Sequence, residues 1–314
     1  MRFIVYFVQY KYHEICRKIH SVSRSRCRYV AVGCGGSQAQ TRRFYRVGRL
    51  GVLQHVESRY AQRESSYGYG GVDIKKRSVL PSSSAINWAS IFMGVGTEGH
   101  GYTQWGSRTP EIPSIAVSEH GIFPTIFTEV RRQRPDAELG ALYEWDGIAY
   151  LVDTLALNTY CQVEEGPDND SQPLTDAAVE YIRAKSPLIT AVIYDNPDHV
   201  GHSVGHDTPA YYDVMAYLDG QIGQIIEATK QAGIYDETVF IVSADHGGVG
   251  TGHGGKSLLE METPLIMVGP GIKNVGELKS AVMQFDIAPT IAALLGVRAP
   301  QAWTGRPITE ALGR

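Results

Sequence analysis

From about residue 188 onward, short apolar runs of strand length alternate with longer segments of helical period, and this pattern leaves few architectures open. Leu188 to Tyr194, Thr238 to Ser243 and Pro264 to Val268 read as buried strands, while Tyr211 to Ala232 and Phe285 to Leu295 carry apolar residues three and four apart. Strand and helix in alternation predict an α/β fold, with a central, mostly parallel sheet flanked by helices. Open sheets of this kind bind their ligands in the loops at the carboxyl ends of the strands. Polar clusters at those loops are therefore the places to look for a site.

Two clusters sit there. The run ending near Tyr194 leads into Asp195-Asn196-Pro197-Asp198-His199-Val200-Gly201-His202, and the run ending at Ser243 leads into Ala244-Asp245-His246-Gly247-Gly248, with His253 following in a Gly-His-Gly-Gly stretch. Six of the ten histidines are His100 or fall within residues 199 to 253. A single loop histidine is ordinarily just a solvated polar residue. Carboxylate and imidazole converging from separate strand ends are instead the donor set that zinc and similar divalent ions take.

A third cluster lies upstream, at Val79-Leu80-Pro81-Ser82-Ser83-Ser84-Ala85-Ile86-Asn87-Trp88. It reads as a loop entering a helix near Ser84. The plain reading is serine capping of a helix start. The chemical reading is a nucleophilic hydroxyl, with helix-end N–H groups near Ala85 and Ile86 placed to stabilise developing negative charge. The metal-type clusters downstream favour the second, because a cation beside a serine hydroxyl helps it lose its proton.

Taken in order, Pro81-Ser-Ser-Ser84-Ala-Ile-Asn87, His100-Gly101, Pro197-Asp198-x-x-Gly201-His202, Asp245-His246-Gly247, His253-Gly254-Gly255 and Phe285-Asp286-Ile287-Ala288-Pro289-Thr290 resemble the alkaline phosphatase superfamily. Within it the type I phosphodiesterase and nucleotide pyrophosphatase branch is the most similar, over roughly residues 75 to 314. The resemblance implies a two-zinc site in which Ser84 attacks phosphorus and forms a phosphoseryl intermediate. It gives Asp198, His202 and His253 to one ion, and Asp245 and His246, with the Ser84 oxygen, to the other.

The sequence departs from that pattern twice. The family's remaining ligand for the second ion is an Asp in a strand-Asp-Gly motif some 35 residues before the nucleophile, and no Asp precedes Asp73 here. Asp73 is too close to Ser84 to serve, and Glu57 and Glu64, though chemically possible substitutes, follow no recognisable strand. The family's Asn about 20 residues after the nucleophile, which contacts a phosphoryl oxygen, is also absent from Tyr102-Thr103-Gln104-Trp105. Gln104 or Asn87 is left as the substitute donor. Sulfatases are near relatives, but their Cys or Ser-x-Pro-x-Arg motif is absent around Ser84.

The missing Asp coincides with an anomalous composition. Residues 1–72 hold 13 Arg and Lys against 3 Glu, whereas residues 73–314 hold 16 against 30. The first segment is rich in Arg, Ser, Tyr and Gly and shows neither helical period nor sustained alternation, so no element is predicted in it. A nucleic-acid or lipid-binding arm is one reading; a frameshifted or disordered stretch, replacing a lost first strand, is the preferred one. Phe3 to Val8 is too short for the core of a secretory signal. Cys16, Cys27, Cys34 and Cys161 fit neither a zinc pair nor a disulfide framework.

The chain is 43% hydrophobic and has no run near the roughly 18 apolar residues of a membrane span, so a globular domain over 73–314 without a transmembrane segment is expected. Its acidic balance disfavours duplex nucleic acid, and the resemblance implies a small phosphate ester as partner. Residues 107–176 read as cap-like loops, in which Tyr143, Trp145, Tyr150 and Tyr160 either stack on a substrate or fill a core. His100, His199 and His206 are either partners orienting the ligands or ordinary loop residues. The opposing functional reading is an inactive or truncated family member that retains one metal site. Compartment, oligomeric state and choice of metal are not encoded in these patterns, although relatives are often exported.

Overall fold

The computed structural model describes residues 1–7 and 70–313. Eight strands form one sheet: β1 (Arg2–Phe7), β2 (Gly71–Arg77), β3 (Leu139–Tyr143), β4 (Thr159–Gln162), β5 (Ile189–Ile193), β6 (Thr238–Ser243), β7 (Glu262–Val268) and β8 (Gly276–Glu277). Their spatial order is β4-β3-β5-β1-β6-β7-β2-β8. Only β7 runs against the rest, so the sheet is mostly parallel as the alternation predicts. The helices are α1 (Ser84–Met93), α2 (Thr97–His100), α3 (Ile126–Gln133), α4 (Gln172–Lys185), α5 (Asp198–Val204), α6 (Pro209–Gln231), α7 (Leu258–Met261) and α8 (Ile287–Leu295).

Each face of the sheet carries its own apolar layer. Phe3, Val5, Ala141, Ile193 and Ile241 pack with α1, α3 and α8 on one side. Ile4, Leu142, Val192, Phe240 and Val242 pack with α4 and α6 on the other. Neighbours along a strand point to opposite faces, so a strand covered on both sides needs apolar residues at every position. The longest helix, α6, starts where the Thr208 hydroxyl accepts from the Tyr211 N–H at 3.3 Å, with Pro209 in its first turn. Leu218, Ile222, Ile225 and Ile226 form its buried stripe.

Three departures from the sequence reading stand out. No element was predicted before residue 73, yet β1 lies at the middle of the sheet, parallel to β5 and to β6. A strand buried on both faces is a continuous apolar run and has no alternation to detect, which is why Phe3 to Val8 reads as a failed signal sequence instead. The sheet also takes in Gly71 and Val72, across the expected boundary at 72 and 73. Finally, residues 107–176 are more than loops, since they supply α3, the fully buried β3 and the edge strand β4. Residues 8–69, and with them Glu57, Glu64, Cys16, Cys27, Cys34 and the expected basic arm, lie outside the described residues.

Candidate metal centre and nucleophile

The carboxyl ends of β5 and β6 meet the start of α1, because β1 places both strands in register: Phe7 is level with Ile193 on one side and Ser243 on the other. Beyond β5 the chain turns into α5, which carries Asp198 and His202 one helical turn apart and so on one face. Beyond β6 come Asp245 and His246, both fully buried, and then the loop bearing His253.

Asp198, His202 and His253 bring three ligand atoms within 4.8 Å of one another, the only such group among the described residues. Asp198 Oδ2 is 3.1 Å from His202 Nε2 and 3.7 Å from His253 Nε2. The two Nε2 atoms are themselves 3.1 Å apart. Across the molecule, Nδ1 of His202 faces the Thr251 carbonyl at 2.8 Å, that of His246 the Gly247 carbonyl at 2.9 Å, and that of His253 the Ser82 carbonyl at 3.2 Å. Donation from Nδ1 leaves each Nε2 lone pair for a cation. This donor set fits a divalent ion of zinc's class.

The electrostatics tie the cluster's own charges to one another. Burial works to raise the Asp198 carboxyl, but hydrogen bonds from His202 and His206 hold it far below the usual carboxylate range. The same contact lifts His202 to about 9. Burial, reinforced by the charge of His246, pushes His253 down to about 4, and burial also lowers His246.

The nucleophile candidate lies alongside. Ser84 is the first residue of α1, and its Oγ is 3.1 Å from His246 Nε2, which in turn is 3.2 Å from Asp245 Oδ2. Asp245, His246 and Ser84 thus make a second cluster of two ligand side chains and a hydroxyl. No third imidazole or carboxylate closes it among the described residues. The turn before α1 is bound to the His253 loop by the Ser82 hydroxyl, which donates to the Gly255 carbonyl at 2.6 Å.

Two expected donors are otherwise engaged. Asn87 is fully buried, its Oδ1 accepting from Val79 N–H at 2.8 Å and its amide donating to the carbonyls of Val79, Pro81 and Ser83 at 3.3, 3.2 and 3.0 Å. Its side chain shapes the turn that presents Ser84 and has no polar atom left for a substrate. The Ala85 N–H donates to the Trp105 carbonyl at 3.0 Å, so it is occupied rather than open to an oxyanion. The Trp105 side chain itself is 67% exposed beside the helix start.

The remaining histidines separate. His206 is buried and bridges Asp198 Oδ1, at 3.3 Å, to the Gly250 carbonyl, at 3.0 Å, orienting the ligand carboxylate. Gly201 and Gly248 flank its ring, where a Cβ would sit 2.5 Å and 2.2 Å from Nε2, so neither position has room for a side chain. His100 joins Ser90 Oγ to the Tyr102 N–H in the interior, and burial holds it at about 4. His199 is exposed, 3.8 Å from Glu165. Of the aromatics, Tyr143 is core, while Tyr150 and Tyr160 are 40% and 54% exposed.

One supporting pair has no counterpart in the sequence reading. Lys76 on β2 is fully buried, donates to the Ala244 carbonyl at 3.0 Å and contacts Gln284 Oε1. The Gln284 amide donates to the carbonyls of Ala244 and Asp245 at 3.1 and 2.8 Å. Together they pin the strand end that presents Asp245 and His246. The visible signal was Gln284 standing directly before the Phe285-Asp286 motif.

A mostly parallel sheet with a carboxylate and imidazole centre at its carboxyl edge, beside a helix-start serine, defines an alkaline phosphatase-like α/β protein. The family model for type I phosphodiesterase / nucleotide pyrophosphatase matches residues 69–284, and the chain belongs to that family. Among curated proteins, the 2,3-bisphosphoglycerate-independent phosphoglycerate mutase of Natronomonas pharaonis is 30% identical over 165 residues, covering 51% of this chain and 31% of the mutase. Human arylsulfatase K is 34% identical over 100 residues, or 30% of this chain and 19% of the sulfatase. The match thus spans about a third or less of those relatives' length. The structure of human ectonucleotide pyrophosphatase / phosphodiesterase 5 superposes over all of both chains with a TM-score of 0.67 at 14% identity, a likeness of fold.

The family is metal-dependent and acts on phosphoesters. Among the described residues no helix is long and apolar enough to cross a membrane.

Proposed function

We propose that this chain hydrolyses a small phosphate diester, in the manner of a phosphodiesterase or nucleotide pyrophosphatase, with Ser84 as nucleophile. The observation that carries this reading is the 3.1 Å approach of Ser84 Oγ to His246 Nε2 at the first turn of α1, next to the Asp198, His202 and His253 cluster. With no second ion on Asp245 and His246, Ser84 Oγ attacks phosphorus and passes its proton to His246 Nε2, whose Nδ1 is turned toward the Gly247 carbonyl. The new Ser–O–P bond forms as the bond to the leaving oxygen breaks opposite it, and water then cleaves the phosphoseryl ester and restores Ser84. The leaving oxygen takes up a proton as it departs. Asp198, His202 and His253 would hold a divalent ion of zinc's class, which would supply Lewis-acid stabilisation to the phosphoryl group. The exposed Trp105, whose carbonyl is fixed to the Ala85 N–H, offers a flat surface for an aromatic leaving group.

The sequence reading also assigns a second zinc to Asp245 and His246. The two-ligand cluster with Ser84 is a weaker fit than the first, and this favours an alternative: a one-metal family member of low or no activity. A substrate panel and metal analysis on the purified chain separate the readings. Turnover of an aryl phosphodiester ahead of the corresponding monoester and sulfate ester supports the diesterase. Preference for the sulfate ester overturns it, and no turnover with one ion bound per chain supports the inactive member.

A further inference from the structure

Three serines stand in a row at the start of α1, and two of their hydroxyls are engaged. Ser82 Oγ donates to the Gly255 carbonyl at 2.6 Å, and Ser84 Oγ is 3.1 Å from His246 Nε2. The hydroxyl between them is left over. Ser83 is only 6% exposed, and its Oγ forms no hydrogen bond among the described residues.

A serine in this place ordinarily caps its own helix. Ser83 is the N-cap of α1, with extended dihedrals (φ −136°, ψ 160°) that suit capping, yet its side chain makes no bond to the first turn. The Ala85 N–H, which such a cap could take, is held instead by the Trp105 carbonyl at 3.0 Å. The backbone of Ser83 is fixed on both sides. Its N–H donates to the Pro81 carbonyl at 2.8 Å, and its carbonyl accepts from the Asn87 N–H at 3.1 Å and from the Asn87 side chain at 3.0 Å.

The free hydroxyl lies against the loop that carries a metal-type ligand. A Cβ at Gly254, the residue after His253, would sit 3.0 Å from Ser83 Oγ, and Gly254 has φ +100°, so both space and conformation favour glycine there. The Ser82 carbonyl faces His253 Nδ1 at 3.2 Å, and the His253 ring stacks on that of His246 with centroids 3.8 Å apart. A buried hydroxyl held in this way calls for a partner that the described residues do not supply.

The geometry points to Ser83 as a substrate-binding residue, its hydroxyl donating to a phosphoryl oxygen while Ser84 attacks. The assignment rests on the phosphodiesterase reading. It fills the role for which the sequence offers Asn87 or Gln104, because Asn87 has no polar atom to spare and Gln104 is exposed. Ser83 forms no covalent bond; its hydrogen bond strengthens as negative charge gathers on the phosphoryl oxygens.

Titration calorimetry of the full zinc-loaded chain with inorganic phosphate tests the assignment. Ser83→Ala should bind phosphate roughly ten- to a hundredfold more weakly than the parent, as the loss of one hydrogen bond to a charged group implies. Zinc content and the urea midpoint should not change, since Ser83 Oγ holds nothing else in place. Ser83→Thr, which keeps a hydroxyl, should restore most of the affinity. Undiminished affinity in Ser83→Ala beside a parent that binds overturns the assignment alone and leaves water as the partner of Oγ; a fall in the urea midpoint that tracks the loss overturns it in favour of a structural role. A parent that neither binds phosphate nor turns over an aryl phosphodiester overturns the diester reading and the assignment with it. Where turnover is seen without phosphate binding, the same loss in kcat/KM of Ser83→Ala decides.

Discussion

Asn87 shows how a candidate catalytic residue can serve the site without touching substrate. Its side chain makes four hydrogen bonds to the backbone of the turn that delivers Ser84. Asn87→Ala strands those buried groups and should cost about 2–4 kcal/mol in urea unfolding. Retained stability would show that the turn is held by something else. Lys76 makes a second residue-scale claim. Burial pushes its ammonium down to about 7 in the folded protein. Between pH 7 and its unfolded value near 10.5, the unfolded chain binds more protons at this site, so its contribution to stability rises with pH by up to about 1.4 kcal/mol per unit. Comparing the parent with Lys76→Met by urea titration at pH 7, 8 and 9 should show a slope that the variant lacks. Equal slopes would contradict it. Neither role can be read from sequence, because Asn87 and Lys76 are defined by partners folded onto them, whereas Asp198, His202, Asp245, His246 and His253 were legible from their place after predicted strands.

At the scale of elements, the sheet depends on a strand lying far in sequence from its neighbours. β1 is paired on both edges, and Phe3 is fully buried in the layer beneath α1 and α8. Phe3→Ala should therefore cost about 3–5 kcal/mol. A chain lacking residues 1–7 should fail to give the cooperative unfolding transition of the parent, because β5 and β6 would lose their common partner; an unchanged transition would show that β1 is dispensable. β5, β6, β7, α6 and α8 were legible from period and length. β1, β3 and α4 were not, for different reasons: β1 lacks alternation, β3 is five residues of mixed size inside a polar stretch, and α4 is partly exposed and poor in large apolar residues, its buried face including Thr175 and Tyr181.

The whole molecule sets a carboxylate and imidazole cluster beside a serine that meets a neighbouring imidazole, and the account predicts that the two functions proposed for them can be separated. His253→Ala should lower bound zinc at the Asp198 cluster and turnover together, read by elemental analysis after gel filtration. Ser84 is different, because none of the three atoms that close the Asp198 cluster belongs to it. The decisive measurement is turnover of an aryl phosphodiester by Ser84→Ala alongside its metal content. The account predicts a loss of about a thousandfold or more with zinc at the Asp198 cluster retained. Full turnover in that variant would contradict the central claim that Ser84 is the nucleophile.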